Sequence, residues 1–352
     1  MKKKNLVGLG ASELEKLALS MDEKAFRGRQ LYHQIYQRRV EEVDQMAELP
    51  KDFRRALAEK FSLTYPEVES QTESTDGTVK FLLRLEDGRF IETVFIPEGK
   101  RQTLCVSSQI GCDVGCTFCM TAQMPFQRNL QPGEIIGQLL AVIRTGLLRE
   151  KGFNLVFMGM GEPLYNYQNL GKAFRIMIDP SGMGLSHQKI TVSTSGVVPV
   201  LKKMATEETL PNLAISLNAT TNEIRDVVMP INQKWNLEEL MQVCRSFPLE
   251  PRRRLTFEYV LLKDVTDSDE DARRLAKLVK GARAKVNLIP YNPGVGLGYA
   301  RPAWERVKKF QQILVSHQVK TLVRRPRGDE IAAACGQLAY LKKAGSDGQA
   351  AR

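Results

Sequence analysis

The sequence predicts an α/β fold built around a parallel sheet. From residue 103 onward, short apolar runs of strand length alternate with longer segments of helical periodicity. Six such strand–helix units follow one another, and a last strand comes after them. This alternation places helices outside a parallel sheet that is either doubly wound or curled into a barrel. In both cases the functional site lies at the carboxyl ends of the strands.

The first 64 residues are predicted to form a small helical domain. Apolar residues recur near helical spacing between residues 11 and 60, and Ser12 with Glu15 predicts a capping box at the first helix. Arginines and lysines lie between these positions, interleaved with Tyr32 and Tyr36. On the residues alone, this basic face is either a solvated helix surface or a contact for RNA.

Residues 65–98 are predicted to form a β extension or linker. Two runs with a period of two, at 79–85 and 89–96, are separated by an Asp-Gly pair, which is a hairpin signal. Glu92 lies inside the second run. Because a carboxylate buried in a strand is costly without a partner, the pattern by itself favours a surface position for Glu92.

Residues 99–328 are predicted to form the α/β core, and residues 329–352 a carboxyl-terminal segment. The strands of the core are predicted at 103–108, 154–159, 189–194, 212–217, 254–262, 284–290 and 319–323. Its helices are predicted at 133–149, 168–178, 197–205, 236–247, 268–280 and 302–316.

Three closely spaced cysteines follow the first strand of the core. Cys112, Cys116 and Cys119 lie on one glycine-containing loop, so three thiolates can converge on one inorganic centre. A closed zinc site takes four ligands, whereas a [4Fe-4S] cluster held by three cysteines leaves one iron open to a non-protein ligand. Cys105 is available as a fourth ligand, so the spacing alone leaves both centres open. The polar and glycine residues of the loop disfavour simple packing of these cysteines in a core.

Polar groups stand where several predicted strands end. Gly161 and Glu162 follow the second strand in the string Met-Gly-Met-Gly-Glu-Pro, whose glycines allow the backbone to approach a ligand closely. Later strand ends carry Ser193, Ser216, Leu217, Asn218 and Asn292. Each residue alone is explained as a cap or turn residue. Their recurrence at the same end of successive strands favours a ligand site.

Cys335 is the most consequential isolated residue. It follows a basic segment, Arg324-Arg-Pro-Arg, which would favour the thiolate form and attract phosphate. Packing in a helix interface is the alternative, and the amphipathic pattern around Cys244 favours that role for Cys244.

Composition bounds the partners and the location. The chain has 352 residues and a formal net charge of +11, which favours a polyanionic partner but is weak evidence alone. No apolar run approaches the roughly 18 residues of a membrane span, and the basic start lacks the apolar stretch of a signal sequence. Cysteines used for chemistry fit a reducing compartment, so a cytoplasmic location without membrane association is expected.

The cysteine loop, with Phe118 before its last cysteine, resembles the cluster loop of radical S-adenosylmethionine (SAM) enzymes. Longer strings resemble the RlmN and Cfr family of RNA adenine methyltransferases over nearly the whole chain. They are Cys105-Val-Ser-Ser-Gln-Ile-Gly-Cys, Thr121-Ala-Gln, Arg128-Asn-Leu, Glu134-Ile-Ile-Gly-Gln and Arg327-Gly-Asp-Glu-Ile-Ala-Ala-Ala-Cys-Gly-Gln-Leu. Met120 departs from the small residue expected after the last cysteine.

The resemblance implies the open (βα)6 partial TIM barrel of radical SAM proteins, with the β-hairpin extension and a helical accessory domain that helps to hold RNA. It implies a [4Fe-4S] cluster on Cys112, Cys116 and Cys119, and two SAM molecules per turnover. SAM contacts are implied at Gly161, Glu162, Ser193, Ser216, Leu217, Asn218 and Asn292. An electron donor such as flavodoxin or ferredoxin and a monomeric protein are further expectations.

The resemblance also implies roles for three residues. Cys335 would carry the methyl group as S-methylcysteine, and Glu92 would accept the ring proton, which requires it to face the interior. Cys105 would resolve a covalent protein–RNA adduct through a transient disulfide with Cys335. RlmN-type members act on carbon 2 of an adenosine in the peptidyl transferase centre of 23S rRNA and of adenosine 37 in tRNA.

Three alternatives stay open on the sequence. A Cfr-type enzyme would use the same parts to methylate carbon 8 and give ribosomal antibiotic resistance. A non-catalytic RNA-binding protein would hold zinc on its cysteines. A radical SAM enzyme acting on a protein or small molecule is disfavoured by the pair Cys105 and Cys335 and by the basic charge.

Overall fold

The computed structural model describes residues 3–339. Residues 340–352 of the expected carboxyl-terminal segment lie outside the described residues. The amino-terminal region is helical, as predicted, and a short parallel strand pair joins its two ends. Its elements are β1 (Lys4–Asn5), α1 (Ala11–Leu19), α2 (Ala25–His33), a π-helical turn (Gln34–Arg38), α3 (Lys51–Lys60) and β2 (Phe61–Ser62).

The N-cap residue of the first helix lies two residues before the predicted one. Gly10 is the N-cap residue, and its backbone N–H donates to the Glu13 carboxylate at 2.8 Å. Ser12 lies inside α1, and Glu15 pairs with Arg29 instead. The predicted capping box at Ser12 and Glu15 is therefore wrong. A glycine at this position supplies the extended backbone of a cap without a capping side chain.

A ten-stranded sheet forms the centre of the molecule. Its strands are β3 (Glu67–Glu73), β4 (Val79–Arg84), β5 (Phe90–Glu98), β6 (Arg101–Cys105), β9 (Asn154–Phe157), β10 (Ile190–Thr194), β11 (Asn212–Ser216), β12 (Leu255–Leu261), β13 (Ala284–Pro290) and β14 (Thr321–Val323). The two remaining strands of the core, β7 (Gln109–Ile110) and β8 (Arg128–Asn129), form a separate antiparallel pair. The order across the large sheet is β14-β13-β12-β11-β10-β9-β6-β5-β4-β3.

The direction of pairing divides this sheet into two parts. From β6 to β14 every neighbouring pair is parallel, whereas β3, β4, β5 and β6 form an antiparallel meander. The β extension thus continues the core sheet rather than standing apart from it. Within the described residues the sheet has two edges, β3 and β14, so the barrel is open.

Helices cover the parallel part. They are α4 (Pro132–Arg144), α5 (Tyr167–Ile178), α6 (Val198–Met204), α7 (Asn222–Val228), α8 (Leu237–Ser246), α9 (Asp269–Leu278) and α10 (Trp304–Ser316). The helix predicted at 133–149 ends earlier because the chain turns at Gly146, which has a φ of 79°. The short α7, capped by the Thr221 hydroxyl, is not among the predicted helices. Among the described residues no helix is both long and apolar enough to cross a membrane.

The helical region packs closely on the core. A Cβ atom added at Gly133, at the start of α4, would lie 2.3 Å from the carbonyl oxygen of Val7. Only glycine allows this contact between the two backbones. The Tyr32 hydroxyl donates to Asp179 at 2.9 Å, and Lys172 pairs with Glu13 at 2.7 Å. These contacts hold the amino-terminal helices against α4 and α5.

Candidate active site

The three-cysteine loop lies directly after β7 and is held by backbone hydrogen bonds from two directions. The Thr117 N–H donates to the carbonyl of Val228 at the end of α7, at 3.1 Å. The Met120 N–H donates to the carbonyl of Gly336 at 2.7 Å, although Met120 departs from the expected small residue. The loop is therefore fixed both to the sheet-covering helices and to the segment that carries Cys335.

The buried environment of the loop disfavours free thiolates at the three cysteines. Burial raises the pKa of Cys112 to about 12 and raises that of Cys116 and Cys119 as well, and the neighbouring cysteines add to the rise for Cys112 and Cys116. Without a metal these thiols stay protonated at neutral pH, whereas a cationic centre stabilises them as thiolates. Within residues 3–339, no group of three or more His, Cys, Asp or Glu is arranged to hold a single metal ion.

A cavity of about 180 Å³ opens beside the loop, at the carboxyl ends of the parallel strands. The predicted residues that line it are Cys112, Cys116, Cys119, Gly161, Glu162, Ser193, Ser216, Asn218, Asn292 and Cys335. Leu217 does not line it. Its N–H donates to the carbonyl of Glu258, and its carbonyl accepts from Arg225, so Leu217 acts inside the scaffold.

Gly161 and Glu162 form a rigid wall of this cavity. Gly161 has a φ of 97°, and an added Cβ would lie 2.4 Å from the Cβ of Gln109, so the position requires glycine. Glu162 is buried, and one of its oxygens accepts from the N–H and the hydroxyl of Ser195, both at 2.7 Å. Burial raises the pKa of Glu162, while these hydrogen bonds oppose the rise. The carboxylate is thus positioned before any ligand arrives.

Asn218 shows why a polar residue ends β11. Its φ of 57° lies in the left-handed region, which asparagine tolerates better than most residues. Its side-chain oxygen accepts from the N–H of Val260 at 3.0 Å and ties the end of β11 to β12. Asn292 has a similar linking role at the end of β13, because its amide donates to the carbonyl of Cys335 at 3.2 Å.

Arg225 is a buried residue of the site that sequence reasoning missed. It lies on α7 and is fully shielded from solvent, and burial lowers its pKa to about 10. Its guanidinium donates to the carbonyls of Ser195 at 2.7 Å and Leu217 at 3.0 Å. It therefore joins the ends of β10 and β11 beneath the cavity. An arginine in a short helix normally faces water, so no signal in the sequence marks this one.

Cys335 and Cys105 meet beside the main cavity. Both line a small adjoining cavity of about 30 Å³, together with Arg324, and all six cysteines are free thiols. Burial raises the pKa of Cys105 to about 12, and the nearby Cys335 adds to the rise. Interaction with Cys335 raises the pKa of Arg324. Cys244, by contrast, is buried within α8, as its amphipathic pattern indicated.

Glu92 is buried, so the surface position favoured by the pattern alone is wrong. It lies on β5, and Lys80 on the neighbouring β4 pairs with it at 3.1 Å. Burial raises the pKa of Glu92, and the Lys80 ammonium opposes that rise. Lys80 also donates to the carbonyl of Ala332 in the segment before Cys335. Glu92 does not line the main cavity, but Val94, its neighbour on the same face of β5, pairs with Cys105.

Known proteins resemble the chain over nearly its whole length. The Radical SAM superfamily model matches residues 106–276, and the model of the ribosomal RNA large subunit methyltransferase N-terminal domain matches residues 4–63. The dual-specificity RNA methyltransferase RlmN of Anaeromyxobacter dehalogenans is 48% identical over 341 residues, covering 95% of this chain and 91% of that protein. RlmN 2 of Myxococcus xanthus is 46% identical over 345 residues, covering 95% and 91%.

A solved structure agrees with these relatives. The crystal structure of a radical SAM methyltransferase from Sphaerobacter thermophilus matches with a TM-score of 0.90 and 40% identity, covering 95% of this chain and 99% of that chain. The fold of the chain is thus that of a radical SAM methyltransferase. At this identity and coverage, the chain belongs to the RlmN family of radical SAM RNA methyltransferases.

Proposed function

We propose that the protein methylates carbon 2 of adenosine, in the peptidyl transferase centre of 23S rRNA and at position 37 of tRNA. One observation carries this proposal. Cys335 lines the cavity that holds the three-cysteine loop and also the small cavity that holds Cys105. In the proposed reaction the Cys335 thiol is methylated from SAM and is later attacked by the Cys105 thiol. Cys335 must therefore lie beside both the SAM site and Cys105.

The residues present fit the cofactors of the family, a [4Fe-4S] cluster on Cys112, Cys116 and Cys119, and SAM. Carbon 2 of adenine is not nucleophilic, so transfer of a methyl cation cannot modify it. When bound, cluster and SAM supply methyl transfer and one-electron chemistry that abstracts hydrogen from an unreactive carbon. We propose that Gly161, Glu162, Ser193, Ser216, Asn218 and Asn292 position SAM, with Leu217 holding the backbone.

The protein's own residues then divide the work. The Cys335 sulfur receives a methyl group, and after hydrogen abstraction its methylene carbon bonds to carbon 2 of the adenine. The Glu92 carboxylate accepts the proton from that ring carbon, and the adduct gives up one electron to a one-electron carrier, so that the ring is again aromatic. The Cys105 thiol loses its proton, and its sulfur attacks the Cys335 sulfur. This breaks the bond from the Cys335 sulfur to the methylene carbon, which takes up a proton to become the methyl group of the released RNA, and leaves a disulfide. An external thiol or dithiol reductant then restores both thiols.

We further propose how the chain is organised around this reaction. Residues 1–64 serve as an RNA-holding accessory domain, 65–98 as the β extension, 99–328 as the core, and the segment from residue 329 positions Cys335. Flavodoxin or ferredoxin supplies electrons, and the protein works as a monomer in the cytoplasm. The net charge of +11 supports an RNA substrate, since phosphate contacts dominate binding to nucleic acids.

Glu92→Gln is expected to lower product formation by about 100-fold or more, the usual range for loss of a general base. In the wild type the rate of product formation should fall as the pH falls through the Glu92 pKa, because the carboxylate is the form that accepts the ring proton. Burial raises that pKa, so the fall should begin above the value near 4.3 of a free glutamate. Lys80→Met removes the ammonium that opposes the rise of the Glu92 pKa. In this variant the rate of product formation should therefore begin to fall at a still higher pH.

Glu69→Gln is the matched control, since Glu69 is exposed on β3 and pairs with Arg84. Single-turnover kinetics of methylated RNA across pH measure the effect. An unchanged rate and profile in Glu92→Gln would assign the proton to another acceptor.

The site of methylation tests the proposed function directly. The protein is expressed in a bacterial host that lacks its own enzyme, and methyladenosine isomers in rRNA and tRNA are separated by mass spectrometry. We expect 2-methyladenosine in both RNAs, and none with Cys335→Ala. Only 8-methyladenosine in rRNA would instead establish a Cfr-type activity, and no methyladenosine in either RNA would reject both.

A further inference from the structure

A second and larger cavity lies at the opposite end of the parallel strands. It measures about 700 Å³, within the roughly 300 to 1,000 Å³ typical of ligand pockets. Residues at or next to the amino ends of the strands line it, among them Arg101, Asn154, Lys189, Asn212 and Lys285. We call the cavity beside the three-cysteine loop the SAM-side cavity and this second cavity the chamber. They therefore occupy the two ends of the open barrel.

The chamber adjoins the small cavity that contains Cys105 and Cys335, although neither cysteine lines the chamber itself. Met158, Glu258 and Arg324 line both it and the SAM-side cavity, so these three side chains form the partition between them. Ile96, Met158, Arg324, Arg325 and Arg327 line both the chamber and the small cavity that contains Cys105 and Cys335. Ile96 on β5 pairs with Thr103 on β6. Cys105 lies two residues after Thr103 on β6, which is about 7 Å along the strand.

The chamber is lined mainly by basic side chains where it is charged. Its lining includes Arg101, Lys189, Lys285, Arg324, Arg325 and Arg327, against the carboxylates Glu98 and Glu258. Arg101 pairs with Glu98 at 3.5 Å, whereas Lys189 and Lys285 form no salt bridge with any described residue. The Lys285 charge acts on the Glu258 carboxylate at longer range and opposes the rise of the Glu258 pKa. Unpaired lysines at the entrance to a polar chamber are suited to bind phosphate.

The accessory helices present basic residues at the same end. Arg39 pairs with Glu150 at 3.2 Å, and the Gln37 amide donates to the carbonyl of Pro180 at 2.6 Å. Glu150 lies in the loop that leads into the amino end of β9, and Pro180 in the loop between α5 and β10. Arg38 beside them is exposed. The basic end of the accessory region and the mouth of the chamber thus lie on one face of the molecule.

We propose that the target adenosine enters through this chamber, from the amino ends of the strands, while Lys189 and Lys285 bind the RNA phosphates at its mouth. The inference rests on the proposed function, because it assumes an RNA substrate. SAM must occupy the carboxyl-end cavity when hydrogen is abstracted from the methyl group on Cys335. The base therefore needs a second route to the same sulfur, and the chamber supplies one. A nucleotide splayed from its stack, at a cost of about a few kcal/mol, can extend into such a chamber.

The test reverses the two unpaired charges, in the double variant K189E/K285E of the full-length protein. Its matched control is K263E/K308E, which changes the net charge equally at two exposed lysines, one after β12 at the carboxyl end and one on α10. Fluorescence anisotropy measures the Kd for a tRNA transcript between 50 mM and 300 mM salt, and intact-protein mass measures methyl loading of Cys335 without RNA.

We expect K189E/K285E to raise the Kd at least about fivefold, and to lower the slope of log affinity against log salt by about 1.4, which corresponds to two phosphate contacts on single-stranded RNA. Methyl loading should be unchanged, because SAM reaches Cys335 from the other end. Equal weakening in both double variants, or in neither, would overturn the entry route. Failure of the wild type itself to bind or methylate RNA would reject the proposed function instead.

A second measurement stands even if the charge reversals disturb folding. A photoreactive p-benzoylphenylalanine replaces Gln188, which is exposed at the chamber mouth, or Lys263 at the opposite end. Irradiation with the tRNA transcript should crosslink the Gln188 variant and not the Lys263 variant. The reverse pattern would place the RNA on the SAM side and overturn the proposal.

Discussion

Cys112→Ala, Cys116→Ala and Cys119→Ala are each expected to lose the iron–sulfur cluster and all RNA methylation. Three protein ligands are one fewer than a closed tetrahedral site uses, so removing any of them leaves two, which is too few to retain the cluster. Burial raises the pKa of all three thiols, so the free proteins hold protonated cysteines there. Iron and sulfide analysis after anaerobic reconstitution measures the loss.

Cys244→Ala is the matched control for these variants. Cys244 is buried within α8 and does not line the site cavity, so its replacement should leave the cluster and the activity in place. Stoichiometric zinc with no iron in the anaerobically purified wild type would contradict the cluster assignment. It would favour an RNA-binding protein with a structural metal.

Local patterns were sufficient to predict much of this molecule. The strand predicted at 284–290 coincides with β13, because its apolar run is bounded by turn residues that end the periodicity. The three-cysteine loop was equally visible, since its spacing lies within one short stretch of chain. The strand-end residues could be assembled because parallel strands bring their carboxyl ends together. Glu92 did not follow this rule, because the alternating pattern of its strand favoured a surface position.

The failures share one physical cause, contact between residues that only register or packing brings together. Glu92 is buried because Lys80 lies diagonally across the hairpin, where Leu82 pairs with Glu92 and Lys80 with Val94. That partner depends on the register of the strands, which periodicity does not specify. Arg225 reaches the carbonyls of two strand ends from a helix too short to show a helical pattern. The chamber at the amino ends of the strands was not predicted either, because it is formed by residues of several strands that the curvature of the whole sheet brings around one space.

Cys335→Ala and Cys105→Ala should fail at different steps, although either change abolishes product. Cys335→Ala removes the methyl acceptor, so neither methylated protein nor methylated RNA forms. Cys105→Ala spares methyl loading and bond formation to carbon 2, and removes only the thiol that releases the RNA. It should therefore accumulate a covalent protein–RNA species. Denaturing gels should show a shifted band that disappears on treatment with nuclease.

The positions of the two cysteines explain why their variants should fail at different steps. Cys335 lines the SAM-side cavity, whereas Cys105 lines only the small cavity beside it, so Cys105 has no direct access to the methyl donor. Burial raises the pKa of Cys105 to about 12, so this thiol is protonated at neutral pH and is a poor acceptor for the methyl group. The double variant Cys105→Ala/Cys335→Ala should show no shifted band, since the crosslink passes through the Cys335 sulfur. Normal turnover by Cys105→Ala would assign Cys105 to packing within β6 and require another group to release the RNA.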